Sequence, residues 1–338
     1  MTGHEEKERV RQSCLEGKKA VLGKKGAFYI YVSSLFLIIV IIIFVVHNKY
    51  QYADKQKVLE TRILAINDFL KDVEFDSKRV IYVSGFRSLI AIEDYVSKTG
   101  SYLNDTEYMF KVAFYNGTVN GTKVDVLENA SYSDYLVKLK LLSQQIGIDV
   151  YLNVTDVVLY QESPWSVKVI VQAHVYVNDT KGLAEWEFEK NYTTEVPLQN
   201  IRDPVYSVGT LGKVPNAIRP TNVTDFVDDA TNETYGLQEH INSTYYISNT
   251  DAPSFLMRLS GNFSPSPYGI ESLVYIPELD TQGVTYSSSK SIVDYVFFTN
   301  VTGYNQDACS VDNMPSWFRI DLNHTNKYEV NQLDYSVC

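Results

Sequence analysis

The chain is short of cysteine, of histidine and of positive charge, and each shortage removes a class of protein. Three cysteines in 338 residues cannot build a disulfide framework, and no CxxC pair or Cys/His cluster has the spacing of a metal site. With 30 basic against 41 acidic side chains the formal net charge is −11, so no basic face is on offer for phosphate backbones and nucleic acid is not an expected partner. His174, His240 and His324 stand isolated in the sequence. His174 falls on the outward parity of a strand, where a solvated imidazole needs no partner and a catalytic one would. There is no GxSxG nucleophile elbow, no HExxH and no GxxxxGK[ST] phosphate loop. Catalytic, cofactor-binding and metal-ligating residues are therefore all expected to be none. Asp225, Asp228, Asp229 and Glu233 gather between two sequons, and their carboxylates can attract Ca²⁺. Their spacing matches no EF-hand, and a solvated acidic loop accounts for them more simply.

What the chain does have is one long apolar run. Ala27 to Val46, AFYIYVSSLFLIIVIIIFVV, is 20 residues without a charge. At helical rise it reaches about 30 Å, one hydrocarbon core. Lys18, Lys19, Lys24 and Lys25 precede it, and acidic residues soon follow it. The positive-inside rule then puts residues 1–26 in the cytoplasm and the rest outside, as a single-pass protein held by membrane lipid. A cleaved secretory signal would have a shorter apolar core and a small-x-small site, and FVVHNKY is not one.

Asparagine sequons agree with that sidedness. They occur at Asn104, Asn116, Asn120, Asn129, Asn153, Asn178, Asn191, Asn222, Asn232, Asn242, Asn262, Asn300 and Asn323, which is 13 of 22 asparagines. Random placement of Ser and Thr gives about three, and none of the 13 precedes the apolar run. N-linked glycans on an extracellular head are the expectation. Beyond the run, Cys309 and Cys338 either bridge, for about 3 kcal/mol in an oxidising exterior, or remain two thiols, because pairing is a matter of geometry.

Periodicity divides the remainder. Leu59, Ile63, Ile66, Leu70 and Val73 recur at spacings of 4 and 3, an a/d seam that needs a partner: another copy of the chain, or its own head. Asp76-Ser77 reads as an N-cap opening a second helical stretch with Val80, Val83, Phe86, Leu89, Ile90 and Tyr95, closed by Gly100. NGTVNGT at 116–122 is turn-rich, and Ser131 or Ser133 caps a helix running to about Gln145. Between Ile148 and Leu198 three alternating segments read as an antiparallel meander. Ile148, Val150, Leu152 and Val154 share one face of the first, Val167 to Val177 of the second, and Trp186, Phe188, Tyr192 and Val196 of the third. Past Asp203-Pro204 the character changes: residues 200–270 hold most of the prolines and four sequons, which indicate long loops with short strands, and apolar runs return at Ser254–Leu259, Ile270–Ile276 and Ile292–Phe298. The expected class is α+β. Its parts are a leader (1–26), a membrane helix (27–46), a helical segment (47–100), an α+β head with the meander (101–199) and a loop-rich, β-rich lobe (200–338).

Lys24-Lys25-Gly26-Ala27 leads straight into the apolar helix. This junction resembles the class III, prepilin-type signal of archaeal pilins, which implies cleavage after Gly26 and a mature N-terminus at Ala27. A long N-terminal helix followed by an antiparallel sheet is similar to the type IV pilin layout. NGTVNGT, DAPSFLMRLSGNFS, GIESLV, KSIVDYVFF and MPSWF look like segments of archaeal pilin-like, membrane-anchored surface proteins, a similarity that spans most of residues 24–330. It implies a non-catalytic subunit whose helix 27–73 meets other copies or pilin-like subunits. Phe28 is bulky for that family, Tyr31 stands where bacterial pilins place Glu, and the head is large. A minor or tip subunit, or an adhesin that never polymerises, therefore fits as well as a filament subunit. Two other classes share the topology: a type II membrane-anchored enzyme such as a glycosyltransferase, and a viral attachment glycoprotein. No DxD-like motif in a βαβ setting supports the first.

Overall fold

The computed structural model describes residues 24–299, 301 and 308–334. Cys14, Lys18, Lys19, Asn300 and Cys338 lie outside the described residues. The chain divides into two compact units, residues 1–67 and 68–338.

Helix α1 runs from Lys24 to Thr99 and contributes to both units. In the first unit, residues 28–47 are all exposed, and of the expected seam Leu59 and Ile63 are also exposed. The N-cap expected at Asp76-Ser77 does not exist, because α1 passes through it unbroken. Ser77 is instead buried mid-helix, 3.1 Å from the hydroxyl of Tyr135. That pairing satisfies a side chain which would otherwise compete with the backbone for hydrogen bonds.

In the second unit, α1 buries a stripe of Ile81, Ser84, Gly85, Ser88, Leu89, Ile92 and Val96, while Val83 stays exposed. Three of those seven residues are small, and at Gly85 the reason is proximity. A Cβ on Gly85 would stand 3.2 Å from Val196 and 3.4 Å from Val169 of the sheet. Gly100, at φ +62°, ends the helix as expected. Helix α2 (Thr106–Asn116), which periodicity alone did not reveal, starts at an N-cap: the Asp105 carboxylate accepts the N–H of Tyr108 at 2.9 Å. A small hairpin follows, β1 (Thr118–Val119) and β2 (Thr122–Lys123), turning through Asn120-Gly121 with both φ positive. Helix α3 (Tyr132–Gln145) opens on a capping box formed by Ser131 and Asp134. Phe110, Phe114, Tyr132 and Tyr135 stack in series between α2 and α3, with ring centroids 5.2–5.7 Å apart.

The meander is present as β3 (Ile148–Ser163), β4 (Ser166–Asp179) and β5 (Glu185–Pro197), antiparallel in that order. Val167, Val169, Val171, Ala173, Val175 and Val177 are buried on one face of the central strand, as alternation predicted. β3 extends beyond its expected end at Thr155. A bulge between Val154 and Asp156 shifts the register, after which Val157 and Leu159 carry the buried face. That change of parity hid the second half of the strand from a period-2 reading.

The expectation of a β-rich region past residue 200 is not met. Among the described residues it holds two three-residue strands, β6 (Tyr246–Ser248) and β7 (Ile270–Ser272), paired antiparallel. Short helices dominate: α4 (Pro204–Gly209), α5 (Tyr235–Asn242), α6 (Phe255–Ser260), α7 (Ile276–Thr281) and α8 (Asp294–Phe298). Apolar runs of five to seven residues suit a strand or a buried helix equally, so periodicity could not separate them. The loops are as extensive as expected. The lobe's apolar core gathers Tyr206, Phe226, Leu237, Leu273, Phe297, Phe318 and Tyr328, among others.

Candidate functional site

The apolar segment of α1 is exposed along its length, from Phe28 to Val46. The most apolar 18-residue window of α1 has a mean hydropathy of 2.9 and no buried share, and the helix is long and apolar enough to cross a membrane. Its two polar side chains are satisfied within the helix: Ser33 and Ser34 donate to the carbonyls of Ile30 and Tyr31, each at 3.0 Å. Gly26 and Ala27 lie inside the first turn of α1.

The described sequon asparagines lie at the surface. Asn104, Asn116, Asn120, Asn129, Asn153, Asn191, Asn222, Asn232, Asn242, Asn262 and Asn323 are exposed, and Asn178 is half-buried. Cys309 is disulfide-bonded. Cys338, its expected partner, is not among the described residues.

The acidic cluster is a set of turns. Asp228 accepts the N–H groups of Ala230 at 2.8 Å and Thr231 at 3.0 Å, which hold its carboxyl below the usual range. Asp225, Asp229 and Glu233 share the walls of the same open cleft of about 540 Å³. Among the described residues no group of three or more His, Cys, Asp or Glu is arranged to hold a metal.

His174 lies on the outer face of the sheet as expected, 3.0 Å from Glu187. His240 and His324 are not isolated but buried. His324 Nδ1 contacts both oxygens of Asp321 at 2.7 and 2.9 Å, and its Nε2 is 3.2 Å from the Tyr295 hydroxyl and 3.3 Å from Glu271. Burial opposes its charge, but Asp321 and Glu271 outweigh that and lift its pKa to about 10. His240 has no such pairing, and burial lowers its pKa to about 4.

Beside this pair sits a larger charged knot that the sequence reading did not foresee. Arg258 on α6 is fully buried. Its Nη1 donates to Asp203 at 2.5 Å and to Asp294 at 2.9 Å, and its Nη2 donates to the second oxygen of Asp294 at 3.2 Å and to the carbonyl of Ile270. Nε reaches the carbonyl of Pro253 at 3.5 Å, so all five donors of the guanidinium are engaged. Asp203 also caps α4 and accepts the Tyr246 hydroxyl at 2.8 Å. Asp294 also accepts the N–H and hydroxyl of Ser272 at 3.1 and 2.9 Å. Burial raises the Asp294 carboxyl, with Arg258 opposing.

A signal for this knot was present. The runs FLMRLS, IESLV and IVDYVFF each carry one charge inside apolar sequence: Arg258, Glu271 and Asp294. A lone charge in such a run needs a buried partner. The knot is closed to solvent and its donors are spent, so it can hold chain segments together but cannot meet a substrate.

An open cleft of about 650 Å³ lies between α1, the β1–β2 hairpin and Asn200–Arg202. Glu93 reaches it from a nearly buried position, accepts the Ser207 hydroxyl at 2.5 Å and is raised by that burial. Asp94, Lys98, Asp125 and Arg202 line it too, and no Cys or His does. Ser207, whose hydroxyl meets Glu93, is itself fully buried and is not among the residues lining the cleft.

No protein-family model, curated protein or solved structure matches the chain. The class defined by the fold is an α+β protein with one long apolar N-terminal helix and small antiparallel sheets.

Proposed function

We propose that the chain is a non-catalytic, membrane-anchored and N-glycosylated surface protein, with residues 1–26 in the cytoplasm and the head outside. The observation that carries this reading is the apolar stretch of α1, none of whose most hydrophobic window is buried. Eighteen apolar residues of the 20 from Ala27 to Val46 would oppose folding in water, and a bilayer removes that cost. The exposure of the sequon asparagines supports the same sidedness, since a glycan needs an accessible residue. The buried Arg258 knot supports a structural head, because its charged groups are consumed by one another. Within this class the chain is a pilin-like subunit, minor or tip, or an adhesin. The Lys24–Ala27 junction and the layout of helix followed by meander support that narrower reading.

Protease added to intact cells, followed by glycopeptide mass spectrometry, tests the proposal. The expected result is cleavage of residues beyond Lys49 and carbohydrate on several of the 13 sequon asparagines. A protected, unglycosylated C-terminal portion would overturn it. Mass spectrometry of the mature N-terminus tests the pilin-like part separately. Ala27 is expected, and an intact Met1 removes prepilin processing without touching the anchor.

A further inference from the structure

A sequon pairs two side chains with different tasks. The asparagine amide takes the sugar, and the hydroxyl two residues on is the rest of what the transferase reads, which is why the signature is Asn-x-Ser/Thr. Both groups must be reachable when the sugar is added. At Asn129, Asn232 and Asn323 only the asparagine is exposed. Their hydroxyl residues, Ser131, Thr234 and Thr325, are buried.

Each buried hydroxyl is in use. Ser131 Oγ donates to the Asp134 carboxylate at 2.7 Å and accepts the Asp134 N–H at 3.2 Å, in the capping box that opens α3. Thr234 Oγ1 donates to the carbonyl of Asn313 at 3.1 Å and accepts from Gln238 Nε2 at 2.9 Å. Thr325 Oγ1 donates to the carbonyl of Leu322 at 2.9 Å. The middle residue of each sequon is held too. The Ala130 carbonyl accepts the Ser84 hydroxyl of α1 at 2.7 Å, the Glu233 carbonyl accepts the Asp228 N–H at 2.9 Å, and His324 is fixed by Asp321. The sequons at Asn120, Asn191 and Asn262 differ: the asparagine and its hydroxyl residue, Thr122, Thr193 or Ser264, are both exposed.

Given the N-glycosylated reading above, on which this step rests, we infer that carbohydrate reaches Asn129, Asn232 and Asn323 before the head folds. Folding then closes these three sites and leaves Asn120, Asn191 and Asn262 open. The transfer forms a bond from the asparagine amide nitrogen to C1 of the sugar and breaks the C1–O bond to the phosphate of a lipid-linked oligosaccharide. The lipid phosphate leaves, and the amide proton passes to a base on the transferase. Presenting Ser131 to that enzyme after folding means opening the first turn of α3. Presenting Thr325 means withdrawing His324 from Asp321 and Glu271. Sugar added earlier meets no such barrier, and the fold accommodates it, because all three asparagines end at the surface.

The test has two arms, both on the full-length chain. Protein from its own cells is mapped by glycopeptide mass spectrometry, and carbohydrate at Asn129, Asn232 and Asn323 is expected. Protein made in a host without the transferase and folded in detergent is then offered to an oligosaccharyltransferase with a lipid-linked oligosaccharide, beside peptides cut from the same protein. The folded chain should match its peptides at Asn120, Asn191 and Asn262. At Asn129, Asn232 and Asn323 it should fall about tenfold or more below them, the factor set by breaking a cap or an equivalent buried bond. Asp134→Ala keeps the sequon, releases the Ser131 hydroxyl and should raise transfer at Asn129 but not at Asn232. Carbohydrate confined to the open sites in the cellular protein overturns the inference. So do folded-chain rates equal to the peptide rates at the three closed sites, an equal fall at the open sites, or an Asn129 rate unmoved by Asp134→Ala. Cellular protein with no carbohydrate on any sequon overturns the glycosylated reading itself.

Discussion

Arg258 and Asp294 meet in a two-point contact, at 2.9 and 3.2 Å, with both side chains fully buried. They lie on different short helices, and Asp203 joins them from the start of a third. A lobe of five- to eight-residue helices and three-residue strands has little regular hydrogen bonding to fix its segments in place. A planar guanidinium with five directed donors does so instead, by demanding that α4, α6, α8 and the carbonyl of Ile270 arrive together.

Replacing Arg258 with Met leaves Asp203 and Asp294 buried without a cation. Breaking such a pair from one side costs about 3–5 kcal/mol. Arg258→Lys keeps the charge but offers three donors where five are used, and cannot reproduce the two-point contact. Both variants are expected to lower the Tm of the purified protein, Met more than Lys. A lysine variant as stable as the parent would show that charge alone holds the knot.

Much of this architecture was legible in the sequence because its signals are periodic. Val167 to Val177 alternate without a break, and Ser131 and Ser133 both offered a cap ahead of a helix to about Gln145, so β4 and α3 fall where expected, with Ser131 as the cap. The signal failed where one residue interrupted the period. The bulge at Val154–Asp156 moved the buried parity of β3 from even to odd numbers. Beyond Asn200 the elements are shorter than one full period of evidence, so strand and helix could not be told apart. The Arg258 knot draws residues 36 to 55 positions apart into contact, which no local pattern encodes. The single charges inside three apolar runs were its only trace.

The two buried histidines predict opposite limbs in the stability profile. His324 holds a pKa raised from 6.5 to about 10, so its contribution is complete below pH 6.5 and is lost as pH rises through about 10. His240 holds a pKa lowered from 6.5 to about 4. Its contribution is complete above pH 6.5 and is lost as pH falls towards 4, where the folded state resists a proton that the unfolded state accepts. Tm measured from pH 3.5 to 10.5 should therefore peak near neutrality. His324→Gln should flatten the alkaline limb and leave the slope of the acid limb. An alkaline limb that keeps its slope in this variant would assign it to other groups.

Two glycines separate crowding from backbone conformation. A Cβ on Gly269 would stand 2.0 Å from the carbonyl oxygen of Ala252 and 2.2 Å from that of Asn249, both backbone atoms that cannot rotate away. Gly121, at φ +77° in the β1–β2 turn, has nothing within 4 Å of the same position. Gly269→Ala must displace the loop that supports β7, a cost of about 1–3 kcal/mol or more. Gly121→Ala bears only the strain of a left-handed alanine, about 1 kcal/mol. Denaturant midpoints of the two variants should rank in that order, and equal losses would contradict the close approach at Gly269.

The anchor makes its own demand on sequence. Ile39 sits mid-way along the apolar stretch, and its side chain is 44% exposed in a region where every neighbour is exposed too. If that stretch lies in hydrocarbon, Ile39→Asp places a carboxylate near the bilayer centre, at a cost of about 2.5–3.5 kcal/mol on insertion scales. The expected result is a drop in the fraction of protein retained by membranes after alkaline carbonate washing. Leu211, 72% exposed on the head, is the matched control, and Leu211→Asp should leave retention unchanged because that position meets water already. Retention that survives aspartate at Ile39 would mean that the apolar stretch is covered by protein rather than by lipid.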